Sequence, residues 1–206
     1  MAAIDLGVDG VEFDVQETQD GAFFVHHDDD IVGKPIAGMT SGEMREARVQ
    51  EIYKVPALEE ALELLGDELI LIVELKQVKS LEKFLKILRL YADVSMCVVV
   101  SFSTELIERM AALAPDIMRA VITNTGVKNA DEVTRSTHSV AIGMALADLD
   151  NDVIANLHKG ETMVFVWDCT DAESVRRALA FDIDGIISDV PDVVNQESIN
   201  SMLDAS

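Results

Sequence analysis

Glu12 and Asp14 stand two positions apart in the short apolar run GVEFDV at residues 10–15. A strand turns alternate side chains to opposite faces, so the two acids share one face while Val11, Phe13 and Val15 share the other. Two carboxylates side by side on an apolar strand cost free energy unless something offsets them. A hard divalent cation, Ca²⁺ or Mg²⁺, does so in a buried site, and water does so at an exposed strand end. The run LILIVELK at 69–76 repeats the arrangement, with Glu74 and Lys76 on one face. Parallel strands covered on both faces read as unbroken apolar runs, so charges confined to their C-terminal ends point to an α/β active site. A third polar group, His27-Asp28, closes a short strand that follows the turn Gln19-Asp20-Gly21.

The elements that must position these groups alternate. Strands are expected at 10–15, 69–75, 96–101, 118–123, 140–143, 163–167 and 185–188, with 22–26 as a hairpin-like excursion from the first. Between them the apolar spacing predicts helices at 57–65, from Ser80 to about Tyr91, from Ser103 or Thr104 to Pro115, and at 129–137, 150–158, 171–180 and 191–203. Residues 28–56 have no strong period, and Gly33, Pro35, Gly38 and Gly42 break them into loop with a short helix near Ser41–Arg48. Regular alternation means a parallel sheet with helical crossovers. Seven strands are one short of a closed (β/α)8 barrel, so periodicity alone leaves a doubly wound open sheet as the alternative.

Composition narrows the function. The 206 residues carry a net charge of −22, a surface that repels nucleic acid and anionic headgroups. It also predicts stabilisation by screening salt. A phosphate substrate would need local positive charge, from a metal and Lys76. No apolar run reaches the ~18–20 residues of a membrane span. Cys97 and Cys169 lie apart in apolar strands without metal-ligand spacing; buried free thiols fit a reducing, cytoplasmic setting.

Taken in order, GVDGVEFDVQETQDG with VHHD, VPALEEAL at 55–62, VELK at 73–76, SF at 101–102, VFVW at 164–167 and DIDGIISDVP at 182–191 resemble the glycerophosphodiester phosphodiesterase family. The E-x-D, H-D and E-x-K elements together are specific, and the likeness spans nearly the whole chain. It implies one TIM (β/α)8 barrel domain over 1–206, with 22–56 as a small insertion after the second strand. It implies hydrolysis of a small-molecule glycerophosphodiester to glycerol 3-phosphate and an alcohol. Carried over position by position, Glu12, Asp14 and Glu74 match the ligands of the divalent metal. His27 matches a general acid or base, Lys76 a phosphate contact, and Trp167 an aromatic on the glycerol side. His26 points the other way on a regular strand and takes a structural or solvent role.

The resemblance also has departures. The family's His-Arg-Gly and Pro-Glu-Asn-Thr motifs are absent, so the likeness implies a barrel lacking its first βα unit, truncated at the N-terminus. Such a barrel has two unpaired strand edges that invite self-association. It also has one acid–base histidine fewer, so impaired turnover is expected. An arginine usual after His-Asp is missing, with Lys34 near, and Trp-Asp-Cys-Thr replaces the usual Trp-Thr-Val-Asn. The competing class is a non-catalytic barrel remnant that binds a divalent metal or a partner chain. Another metal-dependent barrel, such as an aldolase, would leave His27-Asp28 without a task.

Overall fold

A computed structural model describes residues 2–66, 69–124 and 129–204, and these form two compact units. The first unit comprises Asp9–Ser101 with Ala112–Met118. Its sheet holds β1 (Gly10–Glu17), β2 (Phe23–Val25), β3 (Ile70–Leu75) and β4 (Cys97–Ser101) in the order β2-β1-β3-β4. β1, β3 and β4 run parallel, and β2 folds back antiparallel on β1 as the hairpin turn requires. Gly10 sits where a β-carbon would lie 2.6 Å from the Ile70 carbonyl oxygen, so no side chain fits at the start of this pairing. β2 covers only Val15–Glu17, and among the described residues 10–13 of β1 have a strand partner on one side alone.

The register decides the chemistry. Asp14 pairs with Glu74, and Glu12 with Ile72 two rungs earlier, so the three acids converge on one face. The helix Leu81–Tyr91 buries Leu81, Phe84, Leu85 and Leu88, spaced to form one apolar stripe. Phe84 meets Phe23 of β2 edge to face at 6.0 Å. Ser80 precedes this helix, yet its side chain makes no capping bond. Glu17 instead accepts the backbone N–H groups of Lys79 at 2.5 Å and Ser80 at 2.9 Å, just ahead of the helix.

Residues 22–56 form a small excursion with its own core of Phe24, Ile31, Ile36, Met39, Met44 and Val55. The expected helix is Ser41–Glu46, with Thr40 and Glu43 forming a reciprocal cap. Two short ribbons, Asp30–Ile31 with Lys34–Pro35 and Arg48–Val49 with Tyr53–Lys54, were not anticipated, because two-residue strands carry no readable period.

The second unit comprises Met1–Val8, Phe102–Ala111 and Arg119–Ser206. It holds four parallel strands: β5 (Met118–Thr123, from Arg119), β6 (Ala141–Ala145), β7 (Met163–Trp167) and β8 (Gly185–Ile186). Helices alternate with them, and Ile107, Val121, Ile142, Met144, Ile154, Leu157 and Val164 form the core. The short Ala2–Asp5 helix ends at Gly7, whose φ of 71° suits the terminator role.

Among the described residues, seven strands in parallel pairings, alternating with helices, and an excursion after β1 make this the α/β class of the (β/α)8 barrel, one βα unit short of eight. The seven lie where alternation places them, most shifted by a residue or two. Cys97 and Cys169 are buried and form no disulfide among the described residues. Among the described residues no helix is long and apolar enough to cross a membrane.

Candidate active site

Five of the six residues singled out above fall in the first unit. Glu12 and Asp14 project from β1 and Glu74 from β3, and each offers one carboxylate oxygen so that all three lie within 4.8 Å of one another. Lys76 follows β3 directly. Its backbone N–H donates to Val15 O at 3.1 Å, which extends the ladder by one rung and aims its side chain back over the acids. The ammonium lies 2.5 Å from Glu74 Oε1 and 2.9 Å from an Asp14 carboxylate oxygen.

Electrostatics mark the cluster as short of positive charge. Burial, followed by the charges of Asp14 and Glu74, pushes the Glu12 carboxyl up to about 8. Burial raises Glu74 as well, against the opposing pull of Lys76. Burial works against the Lys76 ammonium, but its bonds to Glu74 and Asp14 outweigh it and hold Lys76 above the ordinary lysine value. Glu12 Oε1 is buried and has no hydrogen-bond partner among the described residues. An all-oxygen set of three acids against one ammonium, with an orphaned buried oxygen, fits a hard divalent cation.

His27 stands at the end of the segment after β2. Its ring Nδ1 lies 2.8 Å from Asp28 Oδ1, and both side chains are largely exposed. That bond raises the imidazole's pKa and lowers the Asp28 carboxyl's. His26 bonds through Nε2 to the Asp30 carbonyl at 3.2 Å, a structural tie. Lys34 is paired with Glu43 inside the excursion. Trp167 belongs to the second unit, at the end of β7. It meets Phe102 edge to face at 5.9 Å, and its indole Nε1 is buried without a partner among the described residues.

Two neighbours went unread in the sequence. β1 runs to Glu17 rather than stopping at residue 15. Gln16 therefore continues the Glu12–Asp14 face, and Glu17 turns to the apolar one. The polar spacing at 12, 14 and 16 was the available signal for Gln16; Glu17 had none, because its partners lie more than sixty residues away.

Residues 1–193 match the glycerophosphoryl diester phosphodiesterase family model. The chain is 24% identical over 215 residues to a glycerophosphodiester phosphodiesterase of Caldanaerobacter subterraneus subsp. tengcongensis, covering 93% of this chain and 86% of that one. Its fold is similar to a putative glycerophosphoryl diester phosphodiesterase from Silicibacter pomeroyi, with a TM-score of 0.86 at 22% identity over 97% of this chain and 86% of that one. It is also similar to an Oleispira antarctica phosphodiesterase in complex with the product sn-glycerol-3-phosphate, with a TM-score of 0.84 at 20% identity over 95% and 87%.

Proposed function

This chain belongs to the glycerophosphoryl diester phosphodiesterase family and is by that membership a phosphoric diester hydrolase, and from that premise we propose that it cleaves small glycerophosphodiesters to glycerol 3-phosphate and an alcohol at the Glu12–Asp14–Glu74 cluster. The observation that carries the reading is the convergence of three carboxylates from two paired strands, with Lys76 against them and a buried Glu12 oxygen lacking a hydrogen-bond partner among the described residues. The product seen with the Oleispira antarctica relative supports glycerol 3-phosphate as the product here.

Glu12, Asp14 and Glu74 would hold a divalent ion, Ca²⁺ or Mg²⁺. Bound there, the ion supplies Lewis-acid polarisation of a phosphoryl oxygen and neutralises phosphate charge. Lys76 contributes a point charge and three donors to the same phosphate. His27 has Nδ1 committed to the Asp28 carboxylate, which leaves Nε2 to take or give the reacting proton. Trp167, whose buried indole N–H has no partner among the described residues, is proposed for the glycerol side of the substrate.

In the family pattern two histidines work on opposite sides of phosphorus. These 206 residues offer one candidate for that role, His27, and contain no His-Arg-Gly triplet. We therefore propose that turnover by this chain alone is reduced, by about 10²–10⁴-fold for one lost acid–base group. The open edge of β1 at residues 10–13 supports self-association, measurable by light scattering against concentration.

The test is hydrolysis of glycerophosphocholine with Ca²⁺ or Mg²⁺, run on this chain and on the same chain preceded by a βα unit carrying His-Arg-Gly. Metal-dependent turnover, weak in the first and strong in the second and abolished by Glu74→Gln in both, is the expected result. Silence in both with metal still bound would favour a non-catalytic metal-binding protein on the same fold.

A further inference from the structure

We infer that Gln16 is a positioning residue: its buried amide holds the backbone of His27 and Asp28 against the acid-bearing strand and thereby sets where His27 Nε2 stands. The inference rests on the role proposed for His27 and adds a residue to it.

Gln16 is 2% exposed and lies on the same face of β1 as Glu12 and Asp14. Its amide Nε2 donates to Asp28 O at 3.1 Å and to Asp29 Oδ1 at 3.2 Å, and it lies 3.4 Å from His27 O. An amide nitrogen has two hydrogens, so two close acceptors satisfy it and the third shares. One buried side chain thus gathers three consecutive residues.

The surroundings explain why this falls to a side chain. The backbone ladder between β1 and the returning segment ends at His26 N–H, which donates to Asp14 O at 3.0 Å. The backbone ties beyond it go elsewhere: Asp29 O accepts from Ile36 N, within the excursion. His27 is therefore the first residue past the ladder, and its side chain is 77% exposed with Asp28 as its bonded neighbour. A ring so exposed is held little by packing. Its place is inherited from its backbone, and Gln16 ties that backbone to the strand bearing two of the three acids. Proton transfer needs the ring within hydrogen-bond reach of its target, and a displacement of about 1 Å can cost about 10²-fold in rate.

Burial makes the arrangement firm. An amide left unpaired in a buried setting is costly, so Gln16 keeps its acceptors unless the loop itself departs. Glu17 mirrors it on the opposite face: by accepting from Lys79 N and Ser80 N, it fixes the chain just after Lys76. Consecutive residues of one strand thus anchor the two segments that carry His27 and Lys76.

The test uses Gln16→Met, which keeps length and removes the donor, and Gln16→Lys, which keeps a donor. Backbone ¹⁵N relaxation of His27–Asp29 is measured alongside kcat, KM and metal affinity. In Gln16→Met the order parameters at 27–29 should fall from about 0.85 towards 0.6 or below. kcat should drop about 10–100-fold, with KM and metal affinity within about twofold, and Gln16→Lys should recover much of the loss. Unchanged order parameters at 27–29, or a lowered melting temperature with kcat intact, would overturn the inference. If the loop loosens in Gln16→Met while His27→Ala leaves turnover unaltered, the assignment of His27 fails and the anchoring by Gln16 stands.

Discussion

The Lys76 ammonium, just past the end of β3, stands 2.9 Å from a carboxylate oxygen of Asp14 on the neighbouring β1. The lysine partly neutralises the acids that a metal would need, so cation and ammonium compete for the same charge. Two unit charges about 4 Å apart interact by about 4 kcal/mol at an effective dielectric near 20. Lys76→Met should therefore raise divalent affinity by about tenfold or more, read by calorimetric titration, while lowering turnover through loss of the phosphate contact proposed for Lys76. Affinity unchanged from the parent would place the ammonium outside the field of the metal.

Stability of the metal-free protein should fall as pH rises. The Glu12 carboxyl titrates at about 8 in the fold against 4.5 ordinarily, so the folded state keeps a proton that the unfolded chain releases. A raised pKa gives stability that is fully present below about 4.5 and lost as pH climbs through about 8. His27, raised by its bond to Asp28, adds in the same direction above its ordinary value of 6.5. Melting in chelator should decline between about pH 5 and 8. Saturating Mg²⁺ or Ca²⁺ takes the proton's place, so the decline should flatten and the melting temperature rise, by about 2.7 kcal/mol of stability at a hundredfold excess over Kd. A pH-independent melting curve in chelator would contradict the burial of Glu12.

Period-two alternation was enough to read the paired acids, because register and face follow from local sequence: Glu12 and Asp14 had to share a side, and Glu74 with Lys76 another. The β1 boundary was misread for a physical reason. A carboxylate at 17 breaks the apolar face unless its partners are known, and those are backbone N–H groups brought in by tertiary packing. Ser80 has the usual sign of a helix cap, yet its side chain makes no capping bond, and Glu17 ties down its N–H instead. His27 was legible as a residue but not in its setting, since the amide of Gln16 reaches it through space.

Glu17→Ala tests this non-local anchor. It leaves the N–H groups of Lys79 and Ser80 without their acceptor at the start of a helix that buries four apolar side chains. A hydrogen bond to a charged group, such as these part-buried ones to the carboxylate, is worth about 1.5–3 kcal/mol. Chemical denaturation should report a loss of that size, with the metal affinity of the three acids retained. A loss below about 0.5 kcal/mol, the range of an ordinary surface substitution, would mean that water or Ser80 replaces the carboxylate.

Catalysis and stability should separate most cleanly at His27. The ring is largely exposed, so His27→Asn should leave melting and divalent affinity close to the parent. Turnover should fall about 10²–10⁴-fold, the weight of one acid–base group. Asp28→Asn is the sharper probe. Asp28 raises the imidazole's pKa chiefly through the 2.8 Å bond to Nδ1, and its loss should move the histidine limb of the pH–rate profile to lower pH. It also frees Nδ1 to take the proton, so the ring no longer presents Nε2 in a fixed tautomer. A profile that keeps its limb in Asp28→Asn while His27→Asn abolishes it would leave His27 as the acting group and remove Asp28 from the mechanism.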